Sequence, residues 1–250
     1  MLSSGTTPPP TVTALGPGRA VHPIAVAGIV AALAGAALVG LLHVLPASAD
    51  VSPVRRTISE YALLESAWVF NLALLVLAAG SAAVLAALVG AQLLRPVSAA
   101  AVMLMLWTAS LAAIVVFPKH NWAVGPSLNG DIHRLAGLVG FLSLPAAALL
   151  IGWAWRGDPR WRGQAHRSLV LGLVCLLCFS PIAYAFLSQP VTGIRWWRAI
   201  PLGAVERVLA VTEVITVVAL GWWAARAARA APVDTPEAGL RRRRRSGAGR

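Results

Sequence analysis

Six long apolar runs constrain this chain more than anything else in it. They fall at 24–45, 66–94, 98–117, 132–155, 168–188 and 203–225, each near the roughly 20 residues one helix needs to cross a bilayer. The breaks between them make physical sense. Arg95-Pro96 sets a tight turn between the second and third runs, and Phe117-Pro118-Lys119 closes the third. Arg156-Gly157-Asp158-Pro159-Arg160 closes the fourth, and Gln189-Pro190 ends the fifth. Backbone in lipid must satisfy its own polar groups, and runs this long and uniformly apolar are helices rather than barrel strands. The expected fold is all-α: a multi-pass integral membrane protein with a bundle of six transmembrane helices in one domain over 22–230. Composition agrees, with 58% hydrophobic and 12% charged residues against about 25% charged in soluble chains. That excludes a secreted disulfide scaffold and a nucleic-acid-binding globule, and makes the lipid bilayer the first partner.

Lys and Arg set the orientation. With both termini inside, 14 of the 21 fall on the inner side and seven (Arg55, Arg56, Lys119, Arg134, Arg195, Arg198 and Arg207) on the outer. The tail run Arg241–Arg245 supplies much of that contrast. The expectation is N-in, C-in. Trp68, Trp122, Trp196 and Trp197 fall at outer ends, Trp153, Trp155, Trp161, Trp222 and Trp223 at inner ends, as in an aromatic belt, with Trp107 mid-span. Residues 1–21 and 231–250 read as disordered cytoplasmic tails. Arg241–Arg245 there is a solvated run or, in the sharper reading, an anionic-lipid contact. Ala47-Ser48-Ala49 resembles a signal-peptidase site, but the apolar run before it exceeds the usual ~7–15 residues. The first helix is therefore read as retained.

Polar residues are costly in a membrane and so informative. The first outer loop contains Ser52-Pro53, a cap followed by a first helical position, then Val54, Ile58 and Tyr61 at helical spacing. This predicts a short amphipathic helix presenting Arg55, Ser59 and Arg56. The second loop holds Lys119, His120, Asn121, Asp131, His133 and Arg134; the third holds Arg195 to Arg198, and Glu206-Arg207 opens the last span. Together these loops outline one extracytoplasmic cavity, or else a set of charges that only pair with each other. Glu213 lies seven residues past Glu206 on the same face, about 10 Å deeper at ~1.5 Å per residue. Facing lipid it would cost about 2.5–3.5 kcal/mol. It should face the bundle, protonated or hydrogen-bonded to Thr212, Thr216, Asn71 or a helix carbonyl.

Cys175 and Cys178 form a C-x-x-C inside the fifth span. Quinone-linked thiol oxidoreductases need a second pair, which this chain lacks, so packing is the expected role. His43 and His133 on facing helices would suit bis-histidine haem. His43, His120 and His133 with Asp131 nearby would suit a zinc site. Neither spacing is diagnostic, and no cofactor is assigned.

The series Ile58-Ser59-Glu60-Tyr61-Ala62, Trp68, Asn71, Phe117-Pro118, Gly130, His133 and Glu206-Arg207 resembles a bacterial six-helix membrane family, domain of unknown function 998, over about 44–228. The resemblance implies fold and location and brings no activity with it. Two departures stand out. Where the family pattern resembles Phe-Pro-x-Asp, this chain has Phe117-Pro118-Lys119-His120. Where it resembles His-Gly-x-x-His, this chain has Asn129-Gly130-Asp131-Ile132-His133. Both weaken a metal site.

The leading expectation is a non-enzymatic cell-membrane protein whose outward cavity binds, and in one version transports, a small amphiphilic or anionic ligand: an amphiphile, lipid headgroup or exported metabolite. Arg55, Glu60, Tyr61, Asn71, His133, Arg134, Glu206, Arg207 and Glu213 form the expected site. The alternatives are a metal-dependent membrane hydrolase or haem-b electron carrier using His43, His120 and His133, and an accessory subunit of another membrane protein.

Overall fold

The computed structural model describes residues 17–121 and 123–230, without the side chains of 17–19. Trp122, Arg241–Arg245 and most of both tails lie outside the described residues. Six helices are long and apolar enough to cross a membrane: α1 (Pro17–Leu42), α2 (Ala67–Gly90), α3 (Ala99–Val116), α4 (Leu128–Trp155), α5 (Arg162–Thr192) and α7 (Leu202–Ala230), with a one-turn α6 (Trp196–Ala199) before the last. No strand occurs among the described residues.

Three segments depart from the sequence expectation. α1 stops at Leu42 and a 3-10 turn follows at Pro46–Ser48, because Pro46 forces Leu45 into an extended conformation with ψ 137°. Pro190 does not end α5. The helix runs through Pro181 and Pro190 to Thr192, and Gly193, at φ 67°, caps it with its N–H on Gln189 O at 2.9 Å. The carbonyl that Pro181 leaves unpaired, Leu177 O, takes Ser180 Oγ instead at 2.7 Å. The third departure is the first loop. Residues 53–56 form turns and Ile58–Leu63 is a 3-10 helix, so the amphipathic helix expected from Ser52 does not form.

The six spans close into a ring: α1 packs on α2, α2 on α3, α3 on α4, α4 on α5, α5 on α7, and α7 back on α1, with α2 and α4 also reaching α7. α1 begins and α7 ends at the same end of the ring, where Arg229 Nη2 lies 2.8 Å from His22 Nε2. That is the termini end; the opposite, loop end carries Ile58–Leu63. Small residues let the backbones approach closely, the usual basis of helix association in lipid. A Cβ on Gly80 would stand 2.7 Å from Ala32 N and 2.8 Å from Gly28 O. Trp107 bridges α3 to α2 through Nε1 on Ser81 Oγ at 3.0 Å.

α4 and α5 touch in the termini half, where Ser168 Oγ donates to Ala148 O at 2.7 Å and Gly172 lies against Pro145 O. Past Cys175, α5 is thinly covered, with Phe186 63% and Leu187 73% exposed. The tryptophans divide. Trp68, Trp153 and Trp222 project outward, as a belt requires. Trp161 and Trp223 are buried against each other, with ring centroids 6.4 Å apart. Trp155 Nε1 donates to Leu93 O at 2.9 Å. These three hold the termini end together rather than anchoring it at an interface.

Candidate functional site

The first loop owes its shape to α7. Gly203, in the first turn of α7, admits the loop backbone: a Cβ there would lie 2.5 Å from Pro53 O. Ala204 N–H then donates to Val54 O at 3.1 Å, and Glu206 Oε2 accepts the Ile58 N–H at 2.7 Å. Arg207 Nη1 donates to Arg56 O at 2.8 Å and Gly203 O at 2.9 Å. Loop groups that a helix from Ser52 would have paired internally are paired to α7 instead.

Arg207 also reaches inward. Its Nε donates to His43 Nε2 at 2.7 Å, and its Nη2 lies 3.4 Å from Tyr61 Oη. His43 Nδ1, 2.8 Å from Val39 O, is then the protonated nitrogen. Tyr61 is fully buried and packs edge-on against the His43 ring at 5.4 Å. A guanidinium fork suits this fan of neutral acceptors.

A second knot ties the first loop to α3 and α4. Lys119, the only lysine in the chain, pairs with Glu60 and donates to Thr57 Oγ1 at 2.8 Å. Arg56 reaches the other oxygen of Glu60 at 3.6 Å. His133 Nδ1 lies 2.9 Å from Phe117 O. His120 accepts the Ser127 N–H on Nδ1 at 2.9 Å and places Nε2 3.4 Å from Asp131, which itself binds Arg134 at 2.6 Å. The three histidines thus have separate commitments. Among the described residues no three of His, Cys, Asp and Glu gather where one ion could be held, so the zinc alternative has no ligand set here.

Between these knots and the bundle centre lies a cavity of about 1070 Å³. Its walls are mainly apolar and come from every span, with Leu77, Trp107, Phe141 and Phe179 among them. The loop end contributes Thr57, Ser59, His133, Arg134, Glu206 and Arg207, and His43 also faces it. Leu135, Phe186 and Leu187 line the cavity yet are exposed on the outside of the bundle, so it opens sideways between α4 and α5.

Of the residues expected in the site, His133, Arg134, Glu206, Arg207 and Glu213 line this cavity. Arg55 stands exposed on the loop. Glu60, Tyr61 and Asn71 are not part of the wall: Glu60 is taken by Lys119, and Tyr61 backs the Arg207 knot. Sequence reasoning missed Thr57 and the aromatic walls. The lone lysine beside Phe117-Pro118 was a usable signal for the Glu60 pair.

Glu213 is deep in the cavity and 1% exposed, and neither carboxyl oxygen has a hydrogen-bond partner among the described residues. Two of the partners expected for it, the threonine hydroxyls, are engaged elsewhere. Thr212 Oγ1 donates to Leu209 O at 2.7 Å and Thr216 Oγ1 to Thr212 O at 2.8 Å. Hydroxyls in a helix readily bond back to their own carbonyls. Cys175 on α5 is buried with its Sγ 3.5 Å from Thr216 Oγ1 and not in a disulfide, in keeping with a packing role.

Fold and site together define a multi-pass helical membrane protein with an intramembrane cavity capped by a loop. The chain belongs to the family described as protein of unknown function DUF998, whose model matches residues 26–223. No curated protein and no solved structure matches it.

Proposed function

We propose that the protein binds a small amphiphile in the cavity between its helices, with the apolar part against the aromatic and aliphatic walls and the polar part at one of the polar positions, the loop end or Glu213. Transport of that molecule is the dynamic version of the same reading. The observation that carries it is the division of the cavity: about 1070 Å³ of mostly apolar wall with its polar side chains gathered at the loop end, apart from Ser110 and Glu213. A few placed polar groups in a largely apolar concavity are the ordinary makeup of a ligand site. The side opening between α4 and α5 supports the reading, because an amphiphile dissolved in the bilayer could enter without crossing the loops.

The test uses the full chain in detergent and a 12-carbon lysophosphatidylcholine. At a hundredfold excess over Kd, binding stabilises by about 2.7 kcal/mol, on the order of several degrees in Tm. Gly137 lines the cavity, and a Cβ there meets nothing within 4 Å. Gly137→Phe should therefore fold, project a ring into the cavity and abolish the rise. An equal rise in both chains would place the binding elsewhere.

A further inference from the structure

Resting on the amphiphile-binding reading, we infer that the occupant carries a positive charge: a lipophilic ammonium whose cationic group is held by Glu213. Glu213 is 1% exposed and part of the cavity wall, and both its carboxyl oxygens are buried and unpartnered among the described residues. A buried polar group without a partner is costly, and a buried charge more so unless it is paired. The structure therefore holds a recognition group whose complement is missing from the protein.

The protein's own cations do not supply that complement. Of the two arginines on the cavity wall, Arg134 is paired with Asp131 at 2.6 Å. Arg207 is engaged by His43, Arg56 O, Gly203 O and Tyr61. Lys119 is engaged by Glu60 and Thr57. Thr212 and Thr216, the nearest hydroxyls along the helix, bond back to α7 carbonyls. The same face of α7 carries a second carboxylate, Glu206, two turns toward the loop end and also on the wall, about 10 Å away. Two acids thus lie along one face of α7 on the cavity wall. Trp107, Phe141 and Phe179 on the walls offer ring faces that attract ammonium groups and leave anions unrewarded. An anionic headgroup would offer Glu213 no complementary charge.

The experiment compares dodecylamine, an ammonium at neutral pH, with dodecan-1-ol, which has the same chain and no charge. Binding of each labelled compound is measured by equilibrium dialysis on the full chain in phosphatidylcholine nanodiscs, with empty discs subtracted. A charge-assisted contact in a dry site should make the ammonium bind on the order of tenfold more tightly than the alcohol. Glu213→Gln, nearly isosteric, should bring the two within about twofold by weakening binding of the ammonium. Equal affinities in the unaltered chain would overturn the inference, and so would a preference that survives Glu213→Gln. If that variant does not fold, the comparison in the unaltered chain still decides, and Glu213→Asp should keep the sign of the preference. Gly137→Phe separates the two readings: it should abolish binding of both compounds. Alcohol binding unaffected by Gly137→Phe would sink the cavity reading itself. Adding phosphatidylethanolamine to the discs identifies the source of the ammonium, because displacement of dodecylamine would point to the lipid headgroup and its absence to a free amine.

Discussion

Single residues carry the chemistry of this bundle, and Arg207 carries most. It joins α7 to the first loop through Arg56 O, to α1 through His43, and to Tyr61. Arg207→Ala should lower stability by roughly 2–4 kcal/mol, since several acceptors lose a charged donor at once. Arg207→Lys should recover little of that, because a point charge on a flexible stem cannot serve a fan of acceptors; thermal unfolding of the purified variants measures both. Trp107→Phe removes the hydrogen bond to Ser81, worth about 0.6 kcal/mol in membrane bundles, together with part of a buried ring, and should cost more than that bond alone. At this scale the sequence was legible in part. Glu206, Arg207, His133 and Glu213 were identifiable because an ionisable residue at or below a helix end must have a reason to be there. Their partners were not, since Ile58 N–H and Arg56 O are backbone groups that any residue type would supply. The expected hydrogen bond at Glu213 failed for a related reason: composition shows that hydroxyls lie nearby, and only geometry shows that their own helix already uses them.

At the scale of elements, apolar run length forecast all six spans, with ends displaced by up to seven residues, because the membrane imposes a minimum length whatever the details. Local signals were weaker wherever a tertiary partner competed. Ser52-Pro53 is a sound helix start, yet α7 takes the backbone groups that a helix would need. Pro190 is a sound stop, yet α5 continues for two residues to its glycine cap. Close approach of α1 to α2 gives a sharp test. Gly80→Leu places a side chain where Cβ alone would be 2.7 Å from Ala32 N, and should destabilise by about 1–3 kcal/mol or more through overpacking. Gly40→Ala, on the cavity wall with nothing within 4 Å of the added carbon, should change stability by less than about 0.5 kcal/mol. The pair of Tm values separates a packing glycine from one that merely leaves room.

For the whole molecule, both ends of the bundle lie on one side, as His22 and Arg229 show. Among the described residues Lys and Arg divide eight to seven between that end and the loop end, so the N-in, C-in expectation rests on the arginines of the C-terminal sequence, and labelling can decide it. In a chain with Cys175→Ser and Cys178→Ser, Val124→Cys should react with an impermeant maleimide from outside intact cells. Gly157→Cys should react only after the membrane is opened; the reverse pattern would invert the assignment. The closed ring has one more consequence, which concerns time. A chain emerges from its N-terminus, and the first loop is made long before α7. Val54 O, Arg56 O and the Ile58 N–H receive their α7 partners only when the last span arrives. Until then the ring stands open between α5 and α1, its future cavity a cleft facing lipid. The final helix to be synthesised is the one that completes both the wall and the lid, so a chain cut short before it would retain five spans and lose the site entirely.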